Sequence, residues 1–160
     1  MSITNLKQQS RAKAMKYCAY QERTQQEVRD KLYSYGLYPD AVEEVLTDLI
    51  GEDFVNEERY AQSFARGKFR QNRWGRIKIR RSLQQKQLSR YCVEKGLQEI
   101  DAEAYEATLL KLMRDKWAAL AQEDAYARKH KTVRYVLGKG YEADLAWQVV
   151  ETLEAEQKKQ

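Results

Sequence analysis

Apolar residues recur along this chain at steps of three and four, the period that builds one buried face on an α-helix. The same face returns three times. Val28-Arg29-x-x-Leu32, Ile79-Arg80-x-x-Leu83 and Val133-Arg134-x-x-Leu137 share one pattern, at offsets of 51 and then 54 residues. Downstream the match continues through Val42, Val93 and Ala146, then Leu46, Leu97 and Val150, then Leu49, Ile100 and Leu153. Three parallel matches in order indicate a tandem unit.

Each unit reads as three helices. In the first, a helix over about residues 6–22 precedes Thr24 and Glu27, which are spaced as a capping box. That second helix ends near Gly36; Pro39 opens the third and Gly51 closes it. In the second unit Asn56 caps a helix over 57–71, Asn72 and Gly75 mark a turn, and helices over 76–87 and 90–98 follow, the last started by Ser89. In the third, Asp101 caps a long helix over 102–130. Thr132 starts a short one that Gly138 and Gly140 break, and 142–156 closes the chain. With one proline and no alternating strand pattern, the fold class is all-α: three tandem three-helix, helix-turn-helix-like repeats over 1–55, 56–100 and 101–160. A unit of about 50 residues buries little surface alone, so stacked copies should steady one another in an elongated, curved array.

Charge changes the picture. Residues 60–98 hold eleven Lys or Arg against one acid, Glu94. The flanks hold eight against eleven and ten against twelve, so the net +5 divides into −3, +10 and −2. The sequence is therefore acidic, basic, acidic, and the basic copy is a footprint for a polyanion, with nucleic acid the leading candidate. The candidate contacts are Arg66, Lys68, Arg70, Arg73, Trp74, Arg76, Lys78, Arg81 and Arg90. Trp74 sits in the turn beside Gly75, where it could stack on a base or plug the gap between two helices. Arg29, Arg80 and Arg134 hold equivalent positions and read as structural pairs between helices. Trp117, Trp147 and Leu137 read as core, and Ile77 as an outward apolar residue that needs a cover. His130 is placed at a helix C-terminus.

Catalytic and metal chemistry find no foothold. GxxxxGK[ST], HExxH and GxSxG are missing. The two cysteines, Cys18 and Cys92, are far apart and there is one histidine, so no zinc site of about four clustered ligands is expected. No cofactor is expected. The N-terminus lacks an apolar signal segment and no stretch reaches the roughly 18 apolar residues of a membrane helix. The expectation is a cytoplasmic, monomeric protein without a membrane contact.

With these motifs in place, the chain resembles the RecX family. Asn56-Glu57-Glu58-Arg59-Tyr60-Ala61 is similar to that family's acidic entry to its central repeat. Gly75-x-x-x-Ile79-x-x-x-Leu83-x-x-Lys86-x-Leu88 is similar to its central stretch. Arg23-Thr24-x-x-Glu27-Val28-x-x-Lys31-Leu32 resembles the N-terminal version, and Leu137-x-Lys139-Gly140-Tyr141-x-x-Asp144 the C-terminal one. Ser82 stands where the family usually has Glu, and Gln87 where it has Gly. The resemblance implies a non-enzymatic regulator that binds RecA, chiefly its filament on single-stranded DNA, and restrains its ATPase and strand exchange, with the DNA backbone as a further contact. Two other readings of the residues stay open. One is a helix-turn-helix DNA-binding protein with 76–87 as recognition helix; the other is a helical-repeat scaffold for an acidic protein partner.

Overall fold

The computed structural model describes residues 2–159. Among the described residues nine helices follow one another and no strand forms. They are α1 (Ile3–Tyr20), α2 (Gln25–Ser34), α3 (Pro39–Gly51), α4 (Glu57–Asn72), α5 (Arg76–Gln85), α6 (Arg90–Leu97), α7 (Ala102–Ala119), α8 (Ala125–Gly138) and α9 (Ala143–Lys158). The all-α, three-by-three organisation expected from the periodicity is the one adopted. None of these helices is long and apolar enough to cross a membrane. The chain divides into two compact units, with the boundary between Ser63 and Phe64, inside α4.

In the first unit the local signals work as read. The Thr24 hydroxyl accepts from Glu27 N–H at 3.0 Å, and the Glu27 carboxylate accepts from Thr24 N–H at 3.2 Å. This capping box satisfies two amides at the start of α2. Gly36 takes a left-handed φ of 95° after α2, and Pro39 occupies the first turn of α3. Val28, Leu32, Val42, Val45, Leu46 and Leu49 then close over Ala14 and Cys18 of α1. Burial pushes the Cys18 thiol up. Outside this core Arg29 donates to Glu43 at 2.7 Å, tying α2 to α3.

The second unit repeats the device and then departs from it. Ile79 and Leu83 of α5 are fully buried, and Arg80 pairs with Glu94 of α6 at the same fourteen-residue step as Arg29 and Glu43. In the third copy that step runs from Arg134 to Gln148, and Arg134 has no acid partner among the described residues. The long helix expected over 102–130 is two helices. α7 stops at Ala119, and Asp124 caps α8 by accepting from Ala127 N–H at 2.8 Å. Thr132 does not start a helix; it is buried inside α8, its hydroxyl donating to the Arg128 carbonyl at 2.7 Å. The buried stripe of α8 is Thr132, Val133 and Val136, turned back by one position from that of α5, so Leu137 is 41 % exposed. His130 lies mid-helix rather than at a C-terminus, between Tyr126 and Trp147. Trp117 is core as expected, but Trp147 is 37 % exposed because it covers His130 instead of the interior.

The α4–α5 turn is fastened to the α8–α9 turn. Gly75 N–H donates to the Lys139 carbonyl at 2.7 Å and Ile77 N–H to the Gly140 carbonyl at 2.9 Å. The backbones come so close that both glycines are obligatory. A Cβ on Gly75 would lie 2.5 Å from the Tyr141 nitrogen, and one on Gly140 would lie 2.6 Å from the Lys78 nitrogen. Gly140 also has φ 97°. Around this junction the Tyr105 hydroxyl accepts from Arg76 N–H at 3.0 Å and donates to Glu142. Arg76 lies over the Tyr105 ring, 3.8 Å from its centroid, and pairs with Glu142 at 3.0 Å. Tyr141 donates to the Arg73 carbonyl at 2.9 Å. Burial pushes the Tyr141 hydroxyl up to about 12; burial, then the bond to Glu142, pushes Tyr105 well above the usual tyrosine range.

Candidate nucleic-acid interface

Trp74 is the second residue past the end of α4, in the turn before α5. Its ring stands edge-on to Phe64, with centroids 6.4 Å apart. The two helices that flank the turn each send a lysine to it. Lys68 of α4 places its ammonium 4.8 Å from the Trp74 centroid, and Lys78 of α5 places its own at 4.5 Å. Lys68 and Lys86 also lie over Phe64, each at 5.6 Å. Each such contact is worth about 0.5–1 kcal/mol at an exposed site. That is enough to orient flexible side chains but too little to neutralise them. Neither Lys68 nor Lys78 has an acid partner among the described residues, and Trp74 is half-buried, with part of its ring open. So Trp74 both fills the gap between α4 and α5 and presents a surface between two ammonium groups.

Arg73 adds a third charge by an unusual route. It occupies a left-handed conformation, φ 57°, which disfavours any residue with a Cβ. The turn is held regardless. Arg73 N–H donates to the Phe69 carbonyl at 3.0 Å, Trp74 N–H to that of Lys68 at 3.1 Å, and Tyr141 grips the Arg73 carbonyl. Its guanidinium is exposed and forms no ion pair among the described residues. Arg81 follows Lys78 by three residues on α5, on neighbouring positions of one helical face, and is exposed and unpaired as well. Exposed Ile77 lies between Trp74 and Arg81 in sequence, at 42 % exposure.

The other predicted contacts part from this group. Arg66 is tied to Glu99 at 2.6 Å. Arg76 belongs to the junction with Glu142 and Tyr105, so it serves the fold. Arg70 is exposed on α4 without a partner. Arg90 is exposed at the start of α6 beside Glu94, whose carboxyl is held below the usual range by its bond to Arg80 and, less, by the charge of Arg90. Lys86 and Phe64 were not among the predicted contacts; the i, i+4 spacing of Phe64 and Lys68 was the available signal. Nor were Tyr105, Tyr141 and Glu142, which hold the turn from far along the chain. Among the described residues no three His, Cys, Asp or Glu side chains converge as metal ligands would.

The comparison with known proteins follows the repeats. The model of the first three-helix domain of RecX matches residues 11–49, that of the second matches 56–97, and that of the third matches 103–150. The chain belongs to the RecX family. The regulatory protein RecX of Clostridium botulinum strain Eklund 17B is 33 % identical over 130 residues, covering 80 % of this chain and 60 % of the relative. That of Clostridium perfringens strain 13 is 31 % identical over 133 residues, covering 82 % and 62 %. The chain thus spans about three-fifths of the length of these RecX relatives. The crystal structure of RecX from Lactobacillus salivarius superposes with a TM-score of 0.86 over 95 % of this chain and 99 % of that one; at 23 % identity the likeness is one of fold. The aromatic–lysine group lies wholly within the second RecX domain, and the residues that fasten its turn lie in the third.

Proposed function

We propose that this chain regulates RecA by binding RecA filaments on single-stranded DNA and restraining their ATPase and strand exchange, acting by contact rather than by chemistry. Membership of the RecX family supports RecA as the protein partner. The observation that carries the nucleic-acid part is the Trp74 ring between the unpaired ammoniums of Lys68 and Lys78, with Arg73 and Arg81 beside them. Cations without acids repel one another unless an anion covers them, and an aromatic face among them suits a splayed base. A duplex-reading helix-turn-helix fits less well. A recognition helix offers its N-terminal residues to the major groove, whereas Gly75 is buried at the start of α5 and Arg76 N–H is bonded to Tyr105.

The test is DNA-dependent RecA ATPase with and without this chain. Saturable inhibition at less than one copy per RecA is expected, with no ATP turnover by the chain itself. A variant carrying Lys68→Gln, Arg73→Gln, Lys78→Gln and Arg81→Gln should bind single strands more weakly. Its log K should also fall less steeply with log salt, by up to about 3 at roughly 0.7 per phosphate contact. Unchanged binding by that variant, still folded, would move the interface elsewhere; undiminished RecA ATPase at saturating wild-type chain would refute the regulation.

A further inference from the structure

The third copy is net acidic in sequence, yet its charges do not cancel evenly in space. Four of its acids are engaged by cations of the same copy: Asp115 by Lys111, Glu156 by Arg114, Glu154 by Lys129 and Glu123 by Lys131, at 2.6–3.1 Å. Arg128 is turned to the Trp117 carbonyl and ring. Of the cations that remain, Lys116, Arg134 and Lys139 gather at one aromatic residue. Lys116 of α7 places its ammonium 5.0 Å from the Tyr135 centroid, and Lys139, just past α8, places its own at 5.8 Å. Arg134, next to Tyr135 and exposed, forms no ion pair among the described residues. Lys116, Arg134 and Tyr135 line an open recess of about 280 Å³ together with Leu120 and Lys131, and Tyr135 is 37 % exposed.

This is the construction already seen at Trp74: one part-open ring, two ammoniums from different segments, an unpaired arginine beside them. The two groups adjoin through the backbone, because Gly75, next to Trp74, is hydrogen-bonded to Lys139. We infer that the third copy carries a second single-strand contact, in which Lys116, Arg134 and Lys139 take backbone phosphates and Tyr135 stacks a base. The inference rests on the nucleic-acid reading of the middle copy and extends it across the glycine junction.

The test is fluorescence anisotropy of a labelled oligo-dT titrated with the full chain at several salt concentrations between about 50 and 200 mM. A variant with Lys116→Gln, Arg134→Gln and Lys139→Gln should reduce the salt slope by about 2, at roughly 0.7 per lost contact. Arg134→Gln alone, which removes an exposed side chain without a partner, should reduce it by about 0.7 and guards against a folding defect in the triple variant. Tyr135→Ala should weaken binding roughly 5-fold or more while Tyr135→Phe keeps the affinity, since stacking needs the ring and not the hydroxyl. A wild-type slope in Arg134→Gln and in the folded triple variant overturns the inference. If the middle-copy variant still flattens the slope in that experiment, the first interface stands alone. Absence of any oligo-dT binding by wild type at about 50 mM salt overturns both. Poly-glutamate captured as strongly as oligo-dT, and lost equally in the triple variant, would overturn the assignment to a nucleic-acid strand.

Discussion

Gly138 and Gly140 lie two residues apart and should respond in opposite directions to the same added methyl. At Gly140 an alanine meets three penalties. Its φ of 97° is a backbone conformation L residues avoid, at roughly 1–2 kcal/mol. Its Cβ would sit 2.6 Å from the Lys78 nitrogen, a backbone atom that cannot swing aside; overpacking of this kind costs about 1–3 kcal/mol. Relief by separation would stretch the bonds from Gly75 and Ile77, each worth about 0.5–1.5 kcal/mol. These costs overlap, since separation relieves the clash, and on the order of 3–5 kcal/mol is expected in all. At Gly138 nothing lies within 4 Å of the new Cβ and φ is ordinary, so helix propensity gains up to about 1 kcal/mol. The tryptophans, Trp74, Trp117 and Trp147, all fall in the second unit, so tryptophan emission reports its unfolding alone. For a unit of about 100 residues each kcal/mol moves Tm by roughly 4–8 °C. Gly140→Ala should therefore melt at least about 12 °C lower than wild type and Gly138→Ala a few degrees higher. Equal melting temperatures for the two variants would refute the close approach of the turns.

Leu83→Ala should cost about 2–5 kcal/mol, as a fully buried Leu does, whereas Leu137→Ala at the equivalent repeat position should stay within about 1 kcal/mol because that side chain is 41 % exposed; denaturant midpoints compare them. Gln87 has φ 62° at the end of α5, so Gln87→Gly should raise stability by roughly 1 kcal/mol, and a lower Tm would show that its side chain has a role. Tyr105 and Tyr141 have hydroxyls raised above the unfolded value of 10.0, so the stability they contribute is complete below that pH and is lost as pH rises through about 12. Cooperative unfolding together with their ionisation is expected, followed by tyrosinate absorbance and helical circular dichroism. Ionisation of all eleven tyrosines with the helices intact would contradict their burial.

What could be read in the sequence was local. Thr24 with Glu27, Pro39 and Ser89 announce helix starts because a cap is made by residues within one turn. The break between α7 and α8 was passed over because Leu120–Glu123 contains neither Gly nor Pro; Asp124 was the visible signal, an N-cap residue inside a run of helix formers. The repeat alignment located Val28, Ile79 and Val133 correctly but carried Leu137 into the core, since a one-position rotation of a buried stripe leaves the sequence period intact. At the candidate site the excess of cations was legible, but their division was not. Arg66 finds Glu99 at 33 residues' separation and Arg76 finds Glu142 at 66, and a charge count over residues 60–98 sees neither. The same counting hid the cluster at Tyr135, where Lys116, Arg134 and Lys139 stand outside the ion pairs of an acidic segment.

The glycine junction separates ancestry from mechanics. The repeats descend along the chain as three equal paragraphs, but the second and third cannot be cut apart at the line between them. A chain ending after Ile100 would keep every residue of the basic copy and strip its turn of support. Gly75 and Ile77 would lose their acceptors, Arg76 its carboxylate and its ring, and Arg73 the tyrosine that holds its left-handed backbone. Such a fragment would present Trp74 on a loosened hinge. A deletion series would then assign to the third copy a share of any binding that belongs to the second, and swapping repeats between relatives would import glycines without the partners they were shaped against. Exposed single cations are the finer scalpel.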